Sequence, residues 1–367
     1  MNPYQPEELP LNALDWRLLF GLVGQANAEL ARYDGLLQAI INPAVMLSPL
    51  TTQEAVLSSR IEGTQATVDE VLEHEAGMER EGEKGKDIQE IINYRSTLRM
   101  AHDSLTDRPI TLGFVREIHR NLLNSVRGQN KTPGEFRTDQ NWIGRPGATR
   151  EEATFVPPSP LQLHDHLEAW QRYVESDDID FVLQTAVVHA QFELIHPFKD
   201  GNGRIGRLLI PLFLYRKKKL SQPMFYLSSY LEQNRDEYYQ RLRDISGRGD
   251  WNGWIAFFMR AVTIQSKENI SKVKASIQLY GEMKARVQEI THSQYSMNVL
   301  DFMFNRPIFR PTDFVNESGI HEPTAHGLLR QIRDAGILVE LQPRSGRRPG
   351  VLCFPALLRI VEGKDVV

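Results

Sequence analysis

Residues 196–207 read HPFKDGNGRIGR, which places one histidine, one aspartate, three glycines and two arginines in twelve positions. Gly201, Asn202 and Gly203 tolerate left-handed and other unusual backbone, and the run RIGRLLIPLFLYRK that follows reads as a helix. Glycine-rich backbone leading into a helix start makes an anion site, because free N–H groups point outward and the helix dipole favours negative charge. Arg204 and Arg207 stand three apart and occupy neighbouring positions on one face of the first turn. Cations at that end oppose the dipole, so a polyanion that they hold, such as a di- or triphosphate, best explains them. Asp200 would repel phosphates unless a divalent cation lay between, which implies Mg²⁺. His196, four residues before Asp200, could take a proton from a hydroxyl attacking near the phosphates.

These residues need elements to hold them. FVLQTAVVHAQFELI is apolar at helical spacing up to His196, with a helix expected over 180–193, and Pro197 stops it, since the residue before proline disfavours the α region. The following helix is expected over 203–219. Others are expected at 13–40 (one helix or a pair), 88–104, 112–125, 161–175, 232–244 and 251–286, with a short one at TVDEVLEHEA. Thr51 and Glu54 have capping-box spacing and Gly63 suits the position past a helix end, which predicts a helix over about 52–62. Residues 77–87, GMEREGEKGKD, read as an exposed loop and a boundary. Between Gly128 and Pro160 the chain is dense in Gly, Pro and Asn, with β-prone pieces RTDQNWI and ATFVP, so a β-hairpin flap is expected there. The C-terminal part reads helix, short helix, turn at Gly319, helix, strand, basic turn, strand, the layout of a winged helix-turn-helix.

HPFKDGNGRIGR resembles the Fic signature, H-P-F-x-D/E-G-N-G-R-x-x-R, at every fixed position. The resemblance implies a mainly α protein: a Fic-fold helical core with a β-hairpin flap, which transfers AMP from ATP to a protein hydroxyl. It implies that His196 is the general base, that Asp200 holds Mg²⁺ on the α- and β-phosphates, and that Phe198 packs the loop onto the core. It implies nucleotide contacts from Ser59, Glu62, His196, Gly201, Asn202, Gly203, Arg204, Ile205, Gly206 and Arg207. The intact DGNGR favours AMP transfer over the phosphorylating branch of the fold, which departs from the signature at this turn. The implied target is a protein Ser, Thr or Tyr hydroxyl, including one on the chain itself.

SSRIEG matches the inhibitory pattern S/T-x-x-x-E-G/N of this family with Ser58, Glu62 and Gly63. Ser58 and Glu62 are four apart on one helix face, and a carboxylate at a helix C-terminus is disfavoured unless a cation pairs with it. The resemblance makes that cation Arg207, which otherwise clamps the γ-phosphate, so a Glu62–Arg207 pair would block productive ATP binding. A target segment would dock on the flap, 137–157, by strand addition. Tyr238 and Tyr239 are candidates for the adenine pocket, with Tyr239 favoured. Two alternatives stand beside AMP transfer: removal of AMP in the same site, with Glu62 positioning water, and a transcription regulator that senses nucleotide.

The expected domains are 1–105, a helical segment carrying the inhibitory helix, 106–270, the Fic core, and 285–367, the winged helix. In the last, Arg330 and Arg333 on the recognition helix and Arg344, Arg347 and Arg348 in the wing are opposed by Glu322, Asp334 and Glu340. DNA contact and a protein-interaction or homodimer role are both open for it. Lys plus Arg number 43 against 47 Asp plus Glu, so the whole chain gives no basic signal for nucleic acid. The single cysteine, Cys353, excludes an internal disulfide and is expected to be a buried free thiol. His164 and His166 are two apart on a predicted helix and share no face, so they do not read as metal ligands. With no signal peptide and no apolar run long enough to span a bilayer, a cytoplasmic protein is expected.

Overall fold

A computed structural model of the chain describes residues 2–78, 80, 82–106, 108–124, 126, 130–145, 149–344 and 349–363. In chain order its elements are α1 (Trp16–Gln38), α2 (Pro43–Met46), α3 (Ser48–Ile61), α4 (Val68–Glu75), α5 (Gly82–Leu105), α6 (Leu112–Leu122), α7 (Leu163–Glu175), α8 (Phe181–Ile195), α9 (Asn202–Arg216), α10 (Ser228–Gln233), α11 (Arg235–Arg248), α12 (Trp251–Thr291), α13 (Ser296–Asn305), β1 (Ile308–Phe309), α14 (Pro311–Ser318), α15 (Glu322–Asp334), β2 (Val339–Gln342), β3 (Val351–Cys353) and α16 (Pro355–Glu362). The fold is mainly helical, as the sequence patterns require. Two compact units result, one of residues 1–35, 57–63 and 92–267, the other of 36–56, 64–91 and 268–367.

The first unit is built round α8 and α9. Val182, Leu183, Val187, Val188 and Phe192 of α8 and Leu208, Leu209, Leu212 and Phe213 of α9 are all buried. A helix that is apolar on every side belongs in the middle of a core. The indoles of Trp170 and Trp254 donate to the carbonyls of Val188 and Ala186, both at 2.9 Å, which fixes α8 from two sides. Asp180 caps its start, accepting from Leu183 N–H at 2.8 Å.

In the second unit, β1, β3 and β2 form a three-stranded antiparallel sheet in that order. Val299, Leu300 and Phe304 of α13, Phe314 of α14, and Leu328 and Ile332 of α15 pack into one core with Leu352 and Leu357. Gly319, in left-handed conformation at φ 66°, separates α14 from α15. Cys353 is buried and unbonded. Arg347 and Arg348 lie outside the described residues.

Several element bounds differ from the sequence expectation. α3 starts at Ser48, not near residue 52, because Pro49 sits in its first turn, where a missing N–H costs nothing. Thr51 is therefore inside the helix, and its hydroxyl donates to Leu47 C=O at 3.3 Å instead of capping. Half of the expected 77–87 loop is helical, since α5 begins at Gly82, and Lys84 of that turn pairs with Glu70 at 2.8 Å. The helix expected at 232–244 is two, α10 and α11, broken at Asn234. α2, β1 and α16 are too short or too evenly apolar to stand out in the sequence.

Among the described residues of the flap, a single antiparallel bridge, Ile143 to Phe155, joins two extended segments. Pro157 and Pro158 lack the N–H groups that would continue the ladder, and the Thr154 hydroxyl donates to Ile143 C=O at 3.0 Å.

Candidate active site

α8 ends at Ile195, and His196 follows in left-handed conformation at φ 50° and ψ 60°. A non-glycine residue there is strained by about 1–2 kcal/mol and persists only where its surroundings hold it. The His196 Nδ1 lies 3.3 Å from Glu193 C=O. A carbonyl only accepts, so Nδ1 carries the ring proton and Nε2 keeps its lone pair. Burial pulls the His196 pKa down to about 4, Arg137 assists, and Glu193 C=O, Glu62 and Asp200 oppose. The ring is thus a neutral base at neutral pH.

The turn after His196 closes on itself. Asn202 Oδ1 accepts from Phe198 N–H and Asn202 Nδ2 donates to Phe198 C=O, each at 2.8 Å. Gly201 takes φ 77° ahead of α9. Phe198 is fully buried and stacks on His119 with ring centroids 3.7 Å apart. His119 Nδ1 accepts from Gly134 N–H at 2.8 Å, so its Nε2 carries the proton and donates to Asp200 C=O at 3.0 Å. Burial drives the His119 pKa down to about 4, which keeps that tautomer neutral. Asp200 accepts from Gly201 N–H at 2.6 Å through Oδ1, which also lies 3.4 Å from Arg204 Nη2.

From the second turn of α9, Arg207 reaches the end of α3. Its Nη2 donates to Glu62 Oε1 at 2.7 Å and to Ser58 C=O at 2.9 Å, and its Nε donates to Ser58 Oγ at 3.0 Å. Burial raises the Glu62 carboxyl, and Arg207 more than offsets this, leaving it ionised below its ordinary value. Gly63 at φ 106° ends the segment. A Cβ at Gly203 would collide with Glu62 Oε1, so glycine is what lets the carboxylate lie over the α9 start.

Glu62, His196, Gly203, Tyr239 and Ile143 of the flap all line one cavity of about 520 Å³, a size ordinary for a small-molecule site. Arg235 stacks over Tyr239 at 5.6 Å. Other expected contacts lie elsewhere. Tyr238 is buried and its hydroxyl is 3.0 Å from His189 Nε2. Ser59 is buried, its hydroxyl without a partner among the described residues, and Ile205 packs into the core. Asn202 is spent on the loop rather than turned to the cavity.

Sequence reasoning missed three residues here. His119 and Arg137 bind the loop from 81 and 59 residues away in the chain. Glu193 lines the cavity, its buried Oε1 has no partner among the described residues, and burial raises its pKa to about 8. A lone acid within an apolar helix was its only sequence signal.

Residues 20–103 match the family model described as Fic/DOC family N-terminal, and residues 109–214 match that of the Fic/DOC family. The chain belongs to the Fic family. It is 30% identical over 226 residues to protein adenylyltransferase fic-1 of Caenorhabditis elegans, covering 60% of this chain and 39% of the relative. It is 29% identical over 188 residues to protein adenylyltransferase Fic of Aedes aegypti, covering 50% of this chain and 34% of that one. The chain thus spans well under half the length of these two relatives. A Fic family protein from Desulfovibrio desulfuricans has the same fold, with a TM-score of 0.61 at 20% identity over 96% of this chain and 98% of that one. Among the described residues no helix is long and apolar enough to cross a membrane.

Proposed function

We propose that this Fic protein transfers AMP from ATP to a Ser, Thr or Tyr hydroxyl of a protein and is restrained by Glu62. The observation that carries the reading is the Glu62–Arg207 pair at 2.7 Å, whose Glu62 lines the same cavity as a neutral His196. In a Fic chain whose curated relatives are named protein adenylyltransferases, that cavity takes the nucleotide. The target oxygen bonds to the α-phosphorus as the bond to the β-phosphate oxygen breaks. Pyrophosphate leaves, and the hydroxyl proton passes to His196 Nε2. The α9 start and Arg207 hold the phosphates. Glu62 takes Arg207 from the γ-phosphate and lies across Gly203, so ATP and Glu62 compete.

Asp200 is one hard oxygen donor, 34% exposed at the side chain, next to the phosphate turn. This suits Mg²⁺, whose remaining ligands would be phosphate oxygens and water. The ion would neutralise charge on the phosphates. The target segment pairs with the flap, and the chain itself is one such target.

A second reading has support of its own. Glu62 Oε2 has no partner among the described residues, and Glu62 lines the cavity. A water held there would let the same site remove AMP from a modified protein. In the C-terminal unit, Arg330, Arg333 and Arg344 line a separate cavity of about 560 Å³ with Glu322 and Glu340. We read that unit as a winged helix, and its mixed charge favours a protein contact over DNA.

Labelled ATP tests the main reading. Glu62→Gly should incorporate more label into the chain itself than the parent does, and His196→Ala in that background should incorporate none. Unchanged incorporation on Glu62→Gly ends the inhibitory assignment. Release of AMP from an adenylylated target by the parent chain selects the second reading.

A further inference from the structure

Arg137 is 2% exposed, and no carboxylate pairs with it among the described residues. A buried guanidinium ordinarily demands an acid or a full set of acceptors. Here every acceptor is a backbone carbonyl. Nε donates to His196 C=O at 3.0 Å, Nη2 to Pro158 C=O at 2.6 Å and Ile195 C=O at 3.4 Å, and Nη1 to Asp139 C=O at 3.3 Å. Its own backbone N–H donates to Pro197 C=O at 2.9 Å. The carbonyls of Ile195 and His196 stand at the α8 C-terminus, where helical carbonyls lack partners and a cation is favoured. Asp139 and Pro158 stand at the two feet of the flap.

We propose that Arg137 is a positioning residue: one buried guanidinium pins the left-handed turn at His196 to both feet of the flap, so that the base is aimed by the element that receives the target. The proposal rests on His196 being the base of the proposed transfer. Neighbouring contacts run the same way. Asn141, the last residue before the flap bridge segment, donates to Phe198 C=O at 3.3 Å. Phe136 lies against Phe198 with centroids 5.2 Å apart. Every contact ties the approach to the flap to the catalytic turn.

The charge has a second consequence. The groups acting on His196 are Glu193 C=O from α8, Arg137 from the flap approach, Glu62 from the α3 end and Asp200 from the turn. Arg137 is the cation among them and disfavours a second proton on the imidazole. Its removal therefore raises the proton affinity of His196. A residue that merely filled space would leave that affinity alone.

The test uses the full chain with Glu62→Gly throughout. The His196 ring titration is followed by NMR, its signal assigned by loss in a His196→Gln protein. ATP affinity and AMP transfer are measured in parallel. Arg137→Gln should raise the His196 pKa by about half a unit or more and lower kcat at least about tenfold, with ATP affinity within about twofold of the parent. Arg137→Lys keeps the charge but not the fork, so it should hold the pKa near the parent's and still lose kcat. An unmoved His196 titration in Arg137→Gln, or ATP affinity falling in step with kcat in either variant, overturns the proposal. If Arg137→Gln does not fold, Arg137→Lys with parental kcat overturns it equally. Failure of the parent to transfer AMP would sink the transfer reading, while the titration would still judge Arg137.

Discussion

Arg207 donates to Glu62 Oε1 at 2.7 Å and to Ser58 Oγ at 3.0 Å, so one guanidinium is held by two residues four apart on the same segment. The grip is uneven. Arg207 is 1% exposed at its side chain and Glu62 is 34% exposed, so the acid is the partner that can leave.

Glu62→Gln separates charge from shape. The amide oxygen can still accept from Arg207, but the ionic part of the contact is gone, which for a partly exposed acid is about 1 kcal/mol, or roughly fivefold. Label incorporation should fall between that of the parent and that of Glu62→Gly. A Gln protein as active as the Gly protein would show that charge alone restrains the site.

Arg207→Ala frees Glu62 without freeing the site. It removes a buried cation and leaves Ser58 C=O short of a donor. Stability should drop by about 2 kcal/mol, since Glu62 can turn to water. ATP affinity should fall as well, with no gain in transfer. A gain would mean that Arg207 does not hold phosphate.

Gly206 meets Glu193. A Cβ at Gly206 would collide with Glu193 Oε1, so Gly206→Ala should cost about 1–3 kcal/mol in urea unfolding. Adding Glu193→Ala removes the colliding atom and should recover part of that loss. Simple additivity of the two changes would place the strain elsewhere.

Stability should peak near neutrality. Unfolded imidazoles bind protons near pH 6.5, whereas His119 and His196 wait until about 4 and His189 until about 3, all through burial. Between those values the unfolded chain holds more protons, so stability falls as pH falls. Glu193 works in the opposite sense. Its folded carboxyl keeps its proton to about 8, so the stability it contributes at low pH is lost as pH rises towards that value. Urea midpoints at about pH 4.5, 6.5 and 8.5 should be highest in the middle. Glu193→Gln should flatten the alkaline side and steepen the acid side, since its loss runs from the ordinary carboxyl range up to about 8, and an unaltered alkaline fall would assign it to another group.

What the sequence disclosed was local. HPFKDGNGRIGR and SSRIEG each carry their chemistry within a few residues, and glycine, proline and charge spacing announce it. Helix-end charge gave Glu62 a need for a cation and Arg207 a need for an anion, and the family resemblance paired the two. Arg137 and His119 had no such signal. Their partners are backbone carbonyls and an N–H group, which every residue carries, so no side-chain pattern marks them. Glu193 hides for a related reason: on an apolar helix, sequence cannot tell a buried neutral acid from one turned to solvent. The two flap pieces do meet antiparallel at Ile143 and Phe155, and Pro157 and Pro158 limit how far that pairing runs beyond the bridge.

The N-terminal segment lies beside that flap. Tyr4 N–H donates to Val156 C=O at 2.9 Å, and the Tyr4 ring packs on Phe155 at 5.8 Å. Ile143 N–H takes Phe155 C=O on the other side, at 2.8 Å. One margin of the 153–156 segment is therefore already taken by the chain's own beginning. Under the proposed docking, a strand joining the flap would be left the margin at Trp142–Gly144. The residues ahead of Tyr4 would then share that side of the site with an incoming segment.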